Sequence, residues 1–214
     1  MTHDPAEALA RARRAYLIAA AGCGKTETIA VAAGLRGKGR QLVLTHTHAG
    51  VKAIRDRLVK LGVSLGRVHV DTIAGFALQY SASFRRHSAI PTTEPATADD
   101  WRAVYKGAER VLAARVGREV LAESFAGIYV DEHQDCTKDQ HDVIMTMASA
   151  LPCRVLLDPL QGVFGFAARL VSPPDDLDAT VERLPDLTTP WRWRDHNRLF
   201  TIESVGACEV SIRA

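Results

Sequence analysis

"AAAGCGKT", residues 19–26, decides how the rest of the chain is read. Five of its eight residues are alanine or glycine, and a lysine and a threonine follow at once. The apolar run "YLIAA" (16–20) leads into it and the helix-like "KTETIAVAAGL" (25–35) leads out. A strand, a tight loop and a helix N-terminus form an anion site, because backbone N–H groups converge there and the helix dipole adds positive potential. Small residues at Ala20, Ala21, Gly22 and Gly24 keep Cβ atoms from crowding those amides, and glycine also reaches backbone angles that other residues resist. Lys25 then reaches the β- and γ-phosphates of a nucleotide as a point charge, and the Thr26 hydroxyl faces Mg2+. Cys23 is a spacer in this reading, and Glu27 in the first helical turn completes the set expected against the nucleotide. The pattern is GxxxxGK[ST] with alanine, Ala19, at its first position. The alternative, an alanine- and glycine-rich helix start carrying GKT by chance, is outweighed by the strand before it and the helix after it.

Composition sets wide bounds around this motif. The chain has 214 residues, 47% hydrophobic and 24% charged, which fits one compact α/β domain with room for a small insertion. A formal net charge of +2 announces no nucleic-acid partner, so any such site has to be a local patch. The N-terminal apolar stretch "AYLIAAAG" is too short for a signal peptide or a membrane span, so a cytoplasmic protein with no membrane partner is expected. Cys23, Cys136, Cys153 and Cys208 are scattered, which points to free thiols rather than a zinc site or disulfides.

Further short apolar runs, "QLVLTH" (41–46), "RVHV" (67–70), "GIYV" (127–130) and "RVLLD" (154–158), read as buried strands. Helical spacing appears between them, at Ile54, Leu58 and Leu61 and at Val143, Ile144 and Met147. Alternating strand and helix predicts a mainly parallel sheet covered on both faces. Residues 84–100 are rich in proline, threonine and charge and precede two candidate helices, Trp101–Val111 and Arg118–Glu123. The expected organisation is therefore a core over 1–83 and 126–193, a short helical insertion over 84–125, and a tail over 194–214.

"GIYVDEHQD" (127–135) supplies the second half of the chemistry: an apolar strand ending in two carboxylates. In a P-loop ATPase the first, Asp131, helps hold Mg2+ and the second, Glu132, polarises the attacking water. A solvated acidic strand end would look the same in isolation. The order of the blocks then becomes specific. "VDEHQD" resembles the DExQD motif of the UvrD/Rep/PcrA-type superfamily 1 helicases, and "AAAGCGKT" their AGAGSGKT loop. "LTHTHAG" (44–50), "DTIAGF" (71–76), "LDPLQGVFGF" (157–166) and "LTTPWRW" (187–193) resemble their TFTNKAA, TFHGF-like, GDxxQxIYxF and LxxNYRS motifs, in the family's order.

The resemblance implies a P-loop NTPase of RecA-like fold that uses ATP and Mg2+. It implies that Gln161 couples the γ-phosphate region to DNA, that Trp191 stacks on the adenine, and that Arg192 contacts the γ-phosphate. Single-stranded DNA is the implied partner, with bases stacking on His46, Phe164 and Phe166. For His46 a plain strand-end role is equally open. Thr47 and Thr72, with Arg57, are either phosphate contacts or helix-organising residues. Three departures stand out: residues 1–24 hold no glutamine to read the adenine, Ala74 replaces the histidine of TFHGF, and Pro190 replaces the asparagine of NYRS. The family also has a second RecA-like domain that supplies a catalytic arginine. Lacking that region, this chain is expected to be a fragment, completed by a missing remainder or a partner chain, and a weak ATPase alone. A nucleotide-dependent DNA-binding module without turnover is the alternative, and a small-molecule kinase a more remote one.

Overall fold

The computed structural model describes residues 4–35, 39–158 and 181–189. Among them six strands form one sheet in which every pairing is parallel: β1 Arg14–Ile18, β2 Gln41–Thr45, β3 Val68–Thr72, β4 Gly127–Val130, β5 Cys153–Leu157 and β6 Glu182–Arg183. Their spatial order is β3-β2-β4-β5-β1-β6. Of the inner strands, β2, β4 and β5 are buried along their whole length, which is why they read as mainly apolar runs. At the β3 side of the sheet burial alternates residue by residue.

Helices cover both faces. α1 Pro5–Arg11, α2 Lys25–Leu35 and α3 His48–Lys60 bury Leu9, Ile29, Ile54 and Leu58 against Leu17, Val43, Tyr129 and Leu156 of the sheet. The opposite face carries α4 Ile73–Ser83, α5 Arg85–Ser88, α6 Ala98–Ala113, α7 Arg115–Ser124 and α8 Lys138–Ala148. There Phe76, Val104, Leu112, Leu121, Ile144 and Met147 pack on Leu42, Leu44, Ile128, Val130 and Val155. Alternate side chains of each strand thus feed two separate apolar layers. No helix among the described residues is long and apolar enough to cross a membrane.

The α/β class and parallel sheet expected from the alternating pattern are present, with shifted boundaries. β1 begins at Arg14, two residues before the apolar run, because its backbone pairs with Cys153 and its guanidinium donates to the Ala148 carbonyl at 3.0 Å. β3 runs on through Asp71 and Thr72, which pair with Leu44 and Thr45; ladder hydrogen bonds carry it past the apolar residues. Leu61, expected on the inner face of its helix, caps the end of α3 and is 38% exposed. Residues 84–125 form α5 to α7, and Val104, Ala108, Leu112 and Leu121 share one core with α4 and α8. Gln140 of α8 donates to the Tyr105 hydroxyl of α6 at 2.9 Å within that core. α6 itself starts on a capping box, Thr97 with Asp100, a reciprocal pairing that satisfies otherwise orphaned amides.

Candidate active site

Parallel strands point all their C-terminal ends to one edge, and the strand order places β4, β5 and β1 side by side. Residues just after these three strands are therefore neighbours, although those after β1 lie more than a hundred positions from the other two sets in the chain. After β1 comes the 19–24 loop, where Cys23 donates its amide to the Ala20 carbonyl at 3.1 Å. Gly22 and Gly24 have φ of 78° and 88°, a region costly for residues with a Cβ, so the small-residue pattern has a direct backbone cause here. Gly24 then accepts from the Thr28 amide at 2.9 Å and opens α2, whose first amides have no carbonyl a turn before them inside the helix. Ala21 is exposed and Ala20, Gly22 and Thr26 are half-buried, so the crest of the loop faces solvent.

Lys25 is the hub. It is only 8% exposed, and its Nζ donates to the Ala19 carbonyl at 3.0 Å while lying 3.3 Å from Glu132 Oε2 and 3.4 Å from Asp158 Oδ2. Asp131, 5% exposed, stands at the end of β4 and accepts from the Glu132 amide at 3.1 Å through Oδ1. Burial raises the Asp131 carboxyl to about 7, the Glu132 charge adds to the shift, and Lys25 opposes it. Glu132 is in the left-handed region, φ 52° and ψ 46°, unusual for a non-glycine residue and of the kind that persists where surroundings enforce it. The Glu132 side chain is met by Gln134, buried in the 3-10 turn His133–Asp135. Its Nε2 donates to Glu132 Oε2 at 2.8 Å and its Oε1 accepts from the Asp158 amide at 2.9 Å, two bonds that fix the amide orientation.

Gln134 and Asp158 were not among the residues expected to act, though both lie inside the motif blocks. The missing signal is spatial: β4 and β5 are adjacent, so a polar residue closing each strand must meet the other. The site holds three carboxylates, Asp131, Glu132 and Asp158, around one ammonium. Among the described residues no three His, Cys, Asp or Glu side chains are arranged to hold a metal by themselves.

The remaining expected residues fall as follows. Cys23 is buried, and burial raises its thiol, which keeps it protonated and inert despite nearby Lys25. Glu27 pairs with Arg57 of α3, which gives that arginine a protein partner. Thr47 is exposed and caps α3, accepting from the Gly50 amide at 3.0 Å; Thr72 is buried and caps α4, accepting from Gly75 at 2.9 Å. Both threonines therefore organise helices. His46 follows β2, half-buried, near Asp135, whose carboxyl burial raises. Gln161, Phe164, Phe166, Trp191 and Arg192 lie outside the described residues. Set against known proteins, the chain matches no protein-family model, and no curated protein matches it in sequence.

Proposed function

We propose that this chain is the ATP-binding core of a UvrD-like superfamily 1 DNA helicase, a RecA-like P-loop fold that couples Mg-ATP hydrolysis to movement along single-stranded DNA. The observation that carries the reading is the position of Lys25 Nζ, between the glycine loop and the carboxylates that close β4 and β5. A lysine held only by a carbonyl and carboxylates at 3.0 to 3.4 Å can exchange a carboxylate for a phosphate oxygen at small cost. The loop amides and the α2 N-terminus receive the β-phosphate beside it.

The donor set fits magnesium in its usual manner, few protein ligands with substrate oxygens and water filling the rest. Thr26 and Asp131 are the residues that would hold it, and its charge, when bound, neutralises the β- and γ-phosphate oxygens. Glu132, released from Lys25 as that lysine turns to the γ-phosphate, keeps its hydrogen bond from Gln134 and is oriented to accept a proton from the attacking water. Asp158 retains the lysine from below. Single-stranded DNA crosses the same edge of the sheet at His46 and Thr47, with the resemblance supplying Phe164 and Phe166 as further stacking platforms and Gln161, Trp191 and Arg192 as nucleotide contacts.

The test is single-turnover hydrolysis of Mg-ATP by the chain with and without oligo(dT). Glu132→Gln is expected to bind Mg-ATP as the parent does and to lose whatever hydrolysis the parent shows. An unchanged rate removes Glu132 from the mechanism. Tight binding of both ligands with no turnover in the parent points instead to a nucleotide-dependent DNA-binding module. ATP affinity should rise with oligonucleotide present, and oligonucleotide affinity with ATP by the same factor; independence of the two contradicts the motor reading.

A further inference from the structure

Charge is spread unevenly along the chain. Between Thr28 and Val70 the sequence has eight arginines and lysines against one carboxylate, Asp56, while the formal net charge of the whole is only +2. The same stretch has no Phe, Tyr or Trp. Of the six cations there that lie among the described residues, Lys52 pairs with Asp56 at 2.6 Å and Arg57 pairs with Glu27. Arg40, Arg55 and Lys60 are exposed and form no ion pair among the described residues, and Arg67 is exposed beside them.

The fold draws these last four together. Arg55 donates to the Val70 carbonyl at 2.7 Å, which sets the middle of α3 against β3, and Lys60 ends α3 just over a turn further on. The Gln41 amide donates to the Arg67 carbonyl at 2.8 Å, so Arg67 and Arg40 stand side by side where β3 and β2 begin. The strip therefore runs from the flank of the sheet to the edge opposite Lys25, Asp131 and Glu132.

An array of exposed cations takes a polyanion, and the lack of aromatic rings in the stretch narrows the choice. Unstacked bases bind on aromatic platforms, whereas a duplex keeps its bases stacked within itself and offers its phosphates. Val59, Leu61 and Leu65, exposed among the cations, suit the sugar faces between phosphates and would equally suit an acidic protein. The choice of DNA rests on the reading of this chain as the core of a DNA motor.

We propose that Arg40, Arg55, Lys60 and Arg67 form a second nucleic-acid surface, which holds the phosphate backbone of double-stranded DNA beside α3. It is separate from the edge of the sheet assigned to ATP and the single strand. α3 has 13 residues and is about 20 Å long, enough for about six base pairs. A duplex there lies alongside the core, and a single-stranded tail reaches His46 at the other end of the same helix.

Fluorescence anisotropy of a labelled blunt duplex of about 20 base pairs, with labelled oligo(dT) and labelled poly-glutamate as further probes, tests it. The parent is expected to bind the duplex with a steep salt dependence. Arg40→Ala/Lys60→Ala should weaken duplex binding about tenfold, reduce the slope of log Kd against log salt by about two, and leave oligo(dT) binding within about twofold. Lys60→Glu alone, at an exposed helix end, should weaken it about fivefold and stands in should the double variant fold poorly. Duplex binding unaltered in either folded variant overturns the proposal. So does poly-glutamate bound as tightly as the duplex, which would mark the surface as one for an acidic protein. A parent that ignores ATP and oligo(dT) yet binds duplex through these cations would sink the motor reading and keep the surface; oligo(dT) binding without duplex binding does the reverse.

Discussion

Two buried cations sit toward opposite edges of the same sheet, and their surroundings differ in kind. Arg154, fully buried on β5, donates to the Ala12 carbonyl at 2.7 Å, to Ala10 at 3.3 Å and to Pro152 at 3.4 Å, with its guanidinium 5.2 Å from the Tyr129 ring centre. Carbonyl dipoles and an aromatic face surround it and tie α1 to the sheet, a purely structural task. Lys25 instead faces the carboxylates of Glu132 and Asp158, beside a carboxyl that burial has raised and a glutamate with left-handed backbone. What separates the two is the partners, since both cations are buried. Backbone carbonyls and an aromatic ring tie Arg154 into the frame, whereas Lys25 stands among carboxylates at the C-terminal ends of the strands, where the proposed nucleotide would engage it.

Stability measurements should separate them most widely. Arg154→Ala leaves carbonyls of Ala10 and Ala12 without their donor and opens a cavity, and is expected to cost about 3 to 5 kcal/mol in urea denaturation. A loss below about 1 kcal/mol would break the contrast. Lys25→Ala should lower Mg-ATP affinity by roughly a hundredfold, at a stability cost below that of Arg154→Ala because Glu132, 30% exposed, can turn to solvent, although Asp158, 1% exposed, is left buried. Unfolding of this variant would place Lys25 with the frame after all.

Asp131→Asn sharpens the comparison further. The folded carboxyl titrates at about 7, above the ~3.9 of an unfolded chain. Charging it therefore costs stability nowhere below the unfolded value, increasingly through the interval, and fully above about 7. The variant should melt higher than the parent at pH 8, by a margin equivalent to roughly 1 to 3 kcal/mol, with the gain vanishing near pH 4 and Mg-ATP affinity reduced. An equal gain at both pH values would assign the effect to packing. The smallest effect is expected for Gln134→Ala, about 1 kcal/mol of stability, with Glu132 freed from its hydrogen bond and any hydrolysis slowed; unaltered hydrolysis would mean that Glu132 is held by other contacts.

The sequence discloses the frame unevenly, for physical reasons. β2, β4 and β5 are buried on both faces and are apolar at every position but Gln41, Thr45 and Arg154, which makes them legible. β6 is two exposed residues, Glu182 and Arg183, held to β1 by backbone pairing alone, and nothing in their side chains betrays it. Arg154 reads as the polar start of an apolar run, yet is the largest fully buried side chain among the described residues. At the site, the glycine loop, Lys25, Asp131 and Glu132 follow from residue type and spacing. Gln134 and Asp158 do not, because their bond to one another depends on which strands are neighbours. Thr47 and Thr72 carried two possible roles in sequence, and only backbone geometry shows them capping α3 and α4.

The most direct test of the central claim is a crystal structure of the chain with Mg2+ and a non-hydrolysable ATP analogue. The predicted result is a triphosphate lying over residues 20–26, with Lys25 Nζ turned from Glu132 to a γ-phosphate oxygen and the metal between Thr26 and Asp131. An empty loop, with Lys25 still paired to Glu132 and Asp158 at saturating nucleotide, would contradict it.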